Sequence, residues 1–442
     1  MPTAPLGLSS DCPELWRQPE SLVSRLGLVS SLFETSPPRG LSRVTSYTAT
    51  IGSGRPGRSA EEEHGRRVTA SGMAVDDPCR ARLVAIVEAA ERYAGLNQVP
   101  GVMVTATAEE LPGRTLDFAR IPRCSARERA ATRSLSIPDP AARMRWVRAL
   151  ELVSGDEVWI PAIMACYGLD PLLESERFWY QISTGNATHF DPLEALIRAI
   201  CEVVERDLIS VTWLQKLTLP LVDCPLPETV QYLLDWNALH FVDSYLFDGT
   251  SDIGVPTVYC LQVIKHSDRV RQVVGCATGR SIPIAAEKAL LEALMCGSAY
   301  ERAYESSETV PQPCEFTKLV DSGRYMARPE FASAFEFLLD GDRKPAGSAG
   351  HVLPDDASEC LGELVGSLRS SGMQVYISDR TTSELASVGL ISVCAVIPDL
   401  QPMTLRPNGQ YRAHPRLYSA PKVMGYEVYG EQELNSWPMP FA

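Results

Sequence analysis

Several things are missing from this sequence. Its twelve cysteines stand singly, at 12, 79, 124, 166, 201, 224, 260, 276, 296, 314, 360 and 394. Without a Cys-x-x-Cys pair, a zinc ribbon and a thioredoxin-type centre are excluded, and most of the cysteines read as small core residues of a reducing compartment. The six histidines form no His-x-x-x-His pair, so a histidine-based metal site has no support. No apolar run approaches the roughly 18 residues of a spanning helix. The amino terminus, MPTAPLGLSSDCPELW, has neither the basic nor the apolar region of a secretory signal. The expected place is the cytoplasm, away from membranes. Lysine is scarce, 6 against 35 arginines, and the net charge of −14 argues against a generic nucleic-acid surface.

What is present is the composition of a globular protein: 442 residues, 45% hydrophobic and 22% charged, enough for two or three domains or subdomains. The charge is uneven. Residues 1–150 hold 20 Arg against 16 Asp and Glu, a net of +4, which leaves −18 for the remainder. The basic third suits an anionic ligand or partner, or a plain solvated surface.

The stretch richest in chemistry is a predicted helix from Pro192 to Gln215 and the loop that feeds it, Ser183 to His189. At about 100° per residue, Glu194, Glu202 and Glu205 fall near 0°, 80° and 20° around the axis, so three carboxylates share one stripe. Leu193, Leu196, Ile200, Val203, Val204 and Leu208 form the opposite, apolar face. Such a stripe holds hard divalent cations and, through them, phosphates. It also arises as a solvated face, with Arg198 bridging Glu194 and Glu202. Glu88-Ala89-Ala90-Glu91-Arg92, on a predicted helix over 80–94, repeats the pattern of Glu202-Val203-Val204-Glu205-Arg206. Two Glu-x-x-Glu-Arg helices face to face would gather five carboxylates, which repel unless cations lie between them. Magnesium and a nucleotide are the natural filling.

Along the chain, strands are expected at 26–29, 43–51, 102–106, 158–164, 239–246, 254–264, 271–276, 373–378 and 390–397, and helices at 285–300 and 358–368. Residues 114–148, rich in arginine, read as surface helix and loop. Gly52 to Ser59 satisfies G-x-G-x-x-G and nearly a P-loop. Pro56 removes an amide and Glu61-Glu62-Glu63 would repel phosphate, so it reads as an exposed loop. No long-period repeat is visible. The boundaries expected are an irregular segment 1–65, a main domain 66–430 with subdomains 66–180, 181–340 and 357–430, a linker 341–356, and a Pro-rich tail 431–442.

Taken in order, these blocks resemble the YcaO family. Ser183-Thr184-Gly185, Glu194-Ala195 and Cys201 to Asp207 are similar to its central nucleotide motif, and Glu88 to Arg92 to the earlier one. Thr250 to Pro256, Ala285 to Glu292, and Val396 to Pro402 with Arg416-Leu417 resemble later blocks, the last of them in the azoline-forming branch. The resemblance spans residues 20–442. It implies an α+β fold with mixed and antiparallel sheets and an ATP site between the two Glu-x-x-Glu-Arg helices. Glu88, Glu91, Glu194, Glu202 and Glu205 would be magnesium ligands. Arg92, Arg206 and Lys288 would approach the nucleotide, with Ser183, Thr184, Gly185 and Asn186 lining it. One departure is the absence of the usual basic residue near Met73.

The resemblance further implies a cyclodehydratase that uses ATP and Mg2+ to turn Cys, Ser or Thr of a ribosomal precursor peptide into a thiazoline or oxazoline. Thioamide or amidine formation, and a nucleotide-binding scaffold without turnover, are the rival readings. Azoline-forming members end in P-x-P-x-P, and here Pro438, Pro440 and Ala442 stand at those positions, with alanine for the last proline. A frayed terminus is the ordinary alternative, although Trp437 and Phe441 are odd for it. No amino-terminal leader-binding domain is evident, so an E1-like, leader-binding partner is expected, with a flavin-dependent dehydrogenase and a homodimer as further associations.

Overall fold

The computed structural model describes residues 12–38, 40–52, 68–96, 103–132, 135–306, 309–316, 320–341, 351–404 and 406–441. Most of the Gly52–Ser59 loop, most of the 341–356 linker and Ala442 lie outside them.

The described residues form three sheets. The first is an antiparallel meander of β1 (Val29–Thr35), β2 (Val44–Ile51) and β3 (Thr69–Val75), from which the chain returns as helix α1 (Pro78–Leu96). An added Cβ on Gly72 of β3 would lie 2.1 Å from Ala81 O and 2.4 Å from Ala85 N. The helix backbone therefore rests directly on the strand, which the buried alanines 81, 85 and 89 permit.

The central sheet takes strands from distant parts of the chain: β4 (Val104–Ala106), β5 (Arg114–Thr115), β6 (Met144–Glu151), β7 (Glu157–Pro161), β8 (Asn186–His189), β12 (Tyr376–Asp379) and β13 (Ile391–Val396). Its order is β5-β7-β6-β12-β13-β8, with β4 also on β6. Among its described strands only β5 and β7 pair in parallel. The third sheet has β10 (Thr257–Ile264) between β9 (Val242–Asp248) and β11 (Gln272–Thr278), all antiparallel.

Helix α2 (Pro192–Leu214) starts at Asp191, whose carboxylate accepts the amides of Leu193 and Glu194, with Pro192 in the first turn. Its buried Ile200, Val204 and Leu208 each contribute on the order of 1.5–3 kcal/mol and fix which face looks outward. Helix α3 (Glu228–Leu239) precedes the third sheet, α4 (Ile282–Glu305) returns from it, α5 (Ala357–Ser370) packs on α2, and α6 (Arg416–Val423) closes the fold.

The structure corrects several sequence expectations. The 65/66 boundary cuts through the first sheet, because β1 and β2 satisfy their backbone groups only by pairing with β3. The proposed subdomains share the central sheet for the same reason. Residues 144–151 are a core strand carrying the fully buried Trp146, and its alternation with arginines hid it. The helix Glu228–Leu239 occupies the expected start of the strand at 239, and residues 162–165 are helical. Two β-β-β-α units are present although no sequence repeat was visible. In the second, a Cβ on Gly275 would lie 2.3 Å from Ala289 O, repeating the Gly72 contact. Cys12 and Cys79 form a disulfide and so stand apart from the reading of most cysteines as small core residues, whereas Cys124, Cys166, Cys201, Cys260, Cys276, Cys360 and Cys394 are free and buried.

Candidate nucleotide and metal site

Helices α1 and α2, strand β8, the end of β11 and the start of α4 enclose a cavity of about 700 Å3. Glu88, Glu91, Glu194, Glu202, Glu205, Arg92, Arg206, Lys288, Ser183, Thr184 and Asn186 all line it. Gly185 stands behind the wall and donates its N–H to Glu202 Oε2 at 3.0 Å. It has φ +84°, and a Cβ there would lie 2.2 Å from Ala395 O, so only glycine turns the loop so tightly against β13.

Among the described residues no group of three or more carboxylates, histidines or cysteines converges as a ready-made metal cage. Arginines hold the glutamates instead. Glu88 bonds Arg92 at 2.6 Å and accepts Ser71 N–H at 3.1 Å. Arg206 lies 3.6 Å from Glu202 and 3.5 Å from Glu205. Glu205 also accepts Thr278 N–H at 2.7 Å. Glu194 is bonded by Arg280, with Arg198 at 3.8 Å. The Arg198 bridge of the solvated-face reading thus reaches Glu194, on a stripe that faces a cavity rather than open water.

The electrostatics suit a hard cation. Burial, followed by the charges of Glu202 and Glu88, pushes the Glu91 carboxyl well above the carboxylate range. Burial, reinforced by Glu205, pushes Glu202 up to about 7 against the pull of Arg206. Acids held so high by confinement and mutual repulsion are ionised by a divalent ion, and an all-oxygen donor set favours Mg2+. Asn186 Oδ1 and Arg92 Nε are buried in residues of this wall without hydrogen-bond partners. A metal-bound phosphate chain supplies groups of both polarities to them. Lys288 donates to Thr278 O at 3.1 Å, and burial and then Arg198 lower its pKa.

Sequence reasoning missed two residues. Arg280 lines the cavity and binds Glu194, and a lone arginine after a strand carries no signal of that. Glu292 on α4 accepts Cys276 N–H at 2.8 Å, and burial pushes its carboxyl up to about 7 against the pull of Arg206. It lies at the end of the Ala285–Glu292 block and was legible only as part of that helix.

The tail is packed. Trp213 Nε1 donates to Trp437 O at 3.1 Å and Ser322 Oγ to Met439 O at 2.5 Å. The Phe441 ring meets Tyr259 edge-on, centroids 5.4 Å apart. Residues 434–441 are therefore not frayed. Gly323 makes room for them, since a Cβ there would lie 2.0 Å from Tyr300 Oη and 3.2 Å from Phe441 O.

Comparison with known proteins adds the following. A family model described as YcaO cyclodehydratase, ATP- and Mg2+-binding, matches residues 75–401. An uncharacterized protein in the tfuA 3′ region of Rhizobium leguminosarum bv. trifolii is 28% identical over 180 residues, 39% of this chain and 40% of that protein. A heterocyclase solved in complex with substrate and cofactor superposes with a TM-score of 0.78 at 22% identity, over 97% of this chain. This chain spans 57% of that heterocyclase. The YcaO protein of Methanopyrus kandleri bound with AMPPCP and Mg2+ matches with a TM-score of 0.60 at 15% identity, over 84% of this chain and 86% of that one. In the E. coli microcin synthetase McbBCD complex with pro-MccB17 bound, the matching chain has a TM-score of 0.66 at 16% identity, over 93% and 96%. At these identities the structures establish the α+β fold. Among the described residues no helix is long and apolar enough to cross a membrane. The family model covers nearly three-quarters of the chain and includes all five cavity glutamates, so the protein belongs to the YcaO family, whose domain uses ATP and Mg2+.

Proposed function

We propose that this protein is an ATP-dependent cyclodehydratase that forms thiazolines or oxazolines from Cys, Ser or Thr of a ribosomal precursor peptide. The observation that carries the reading is that five glutamates and two arginines from two Glu-x-x-Glu-Arg helices line one cavity. ATP would supply the acceptor for the amide oxygen: the substrate thiol or hydroxyl would add to the preceding carbonyl and give up its proton, the oxygen would take the γ-phosphoryl group as ADP leaves, and loss of phosphate together with the amide N–H proton would leave the ring, the peptide having lost one water overall.

Glu88, Glu91, Glu194, Glu202 and Glu205 would hold Mg2+, and Arg92 and Arg206 would set fixed positive charge beside the phosphates, bidentate where the fork allows. Ser183, Thr184 and Asn186 would border the nucleotide, with Gly185 turning the loop behind them and Lys288 at the edge. The tail, with Pro438 and Pro440 stiffening it, would bring the Ala442 carboxylate to orient or deprotonate the substrate. The nucleophile belongs to the peptide, so no side-chain triad is required. Delivery of the peptide would fall to an E1-like, leader-binding partner, with a flavin-dependent dehydrogenase and self-association as further associations.

The test is mass spectrometry of the precursor peptide encoded beside the gene, after incubation with this protein, the neighbouring E1-like protein, Mg2+ and ATP. A loss of about 18 Da per modified residue supports the reading. A gain of about 16 Da with a sulfur source moves the protein to thioamide formation, and an unchanged peptide with nucleotide still bound leaves a scaffold.

A further inference from the structure

Beside Arg206 lies a second, narrow space of about 40 Å3 that shares Ile182, Thr184, Arg206 and Met403 with the nucleotide cavity. The rest of this annex is mainly apolar, including Met164, Val203 and Leu400, with the rings of Trp179 and Tyr411 at 5.5 Å between centroids. Gln401 is also in its wall and is 1% exposed. Gln401 Nε2 donates to Gln410 O at 2.9 Å and lies 3.5 Å from Tyr411 O, which fixes the end that is nitrogen. Gln401 Oε1 has no hydrogen-bond partner. A buried acceptor left unpaired is costly and points to an N–H brought by a ligand.

We infer that the annex seats the side chain of the substrate residue whose carbonyl is activated, the one immediately before the Cys, Ser or Thr that closes the ring. Gln401 Oε1 accepts the backbone N–H of that same residue. The inference rests on the cyclodehydratase reading. Two side chains flank the reacting amide, and they have different fates. The nucleophile's own side chain is bonding to the carbonyl carbon and cannot sit in a pocket while it does so. The preceding side chain is free, and it branches one bond from the carbonyl whose oxygen meets the phosphate. Because Arg206 walls both spaces, the phosphate end of the large cavity and the mouth of the annex are neighbours.

Size then sets the specificity. A cavity that takes a benzene ring measures about 150 Å3, so the annex, at about 40 Å3, takes only a small aliphatic group. Alanine and valine fit, and an aromatic ring does not.

The experiment uses the full-length protein, the E1-like partner, Mg2+ATP and the precursor peptide encoded beside the gene, with the residue before its first cyclised position replaced by Ala, Val, Phe or Trp. The readout is kcat/KM for water loss. The wild type should process the Ala and Val forms at least about tenfold better than the Phe and Trp forms, the scale of a steric side-chain pocket. Leu400→Ala and, from a different wall, Met164→Ala enlarge the annex and should narrow that ratio to within about threefold. Equal processing of all four forms by the wild type overturns the inference while leaving the cyclodehydratase reading intact. A ratio unmoved in whichever enlarged variant folds also overturns it. Water loss from none of the forms overturns the reading, and the inference with it.

Discussion

Arg416 grips Asp207 along one edge of its guanidinium, with Nη2 2.7 Å from Oδ2 and Nε 3.1 Å from Oδ1, and turns its other edge to Asp252 at 2.7 Å. Asp207 also accepts Gln401 N–H at 2.7 Å. All four residues are at least largely buried. Three segments far apart in the chain are thus locked together one residue beyond Arg206, which sets that cavity-lining arginine in a fixed frame.

Arg416→Met is expected to leave Asp207 and Asp252 without their cation and to cost about 3–5 kcal/mol, as broken buried ion pairs do. Chemical denaturation of the variant measures this. A loss below about 1 kcal/mol would show that the two aspartates find other partners.

Glu202→Gln separates function from stability. Its carboxyl is confined and pushed up to about 7, so a neutral amide removes a repulsive charge while Oε1 still accepts Gly185 N–H. The variant should melt no lower than the wild type at pH 8, yet lose water elimination from the peptide. Wild-type turnover would remove Glu202 from the metal set.

Deleting Pro438 to Ala442 should spare binding of ATP analogues, because no described residue of the tail lines the nucleotide cavity. It should end peptide cyclisation and lower the melting temperature, since Met439 and Phe441 leave the core. Calorimetry for the nucleotide and mass spectrometry for the peptide read the two effects separately, and undiminished product would contradict the role given to the tail.

His414 donates through Nε2 to Pro398 O, and burial lowers its pKa to about 4. The unfolded chain binds the proton first, so stability falls as pH drops through the window from about 6.5 to about 4, by up to about 3 kcal/mol. His414→Gln should flatten the pH dependence of the melting temperature across that window. An unchanged slope would assign acid sensitivity to other groups.

What the sequence determined by itself was whatever depends on local periodicity. Helical spacing put Glu194, Glu202 and Glu205 on one stripe, because 3.6 residues per turn is a property of the backbone, whereas the meeting of that stripe with Glu88 and Glu91 in one cavity was decided by the fold. The start of that helix at Pro192 was legible too, because proline is pre-organised for a first helical turn. Tertiary structure alone decided what depends on non-local packing. It chose arginines, Arg280 among them, as the partners that hold the carboxylates, because any nearby cation satisfies a confined anion and sequence distance does not enter the Coulomb energy. It drew β6 into the core although Arg145 and Arg148 masked the alternation, and joined strands from 104–161, 186–189 and 376–396 in one sheet, because unpaired backbone cannot be buried. It also packed Phe441 against Tyr259, since a terminal aromatic side chain is held only by a surface that the rest of the chain has already built.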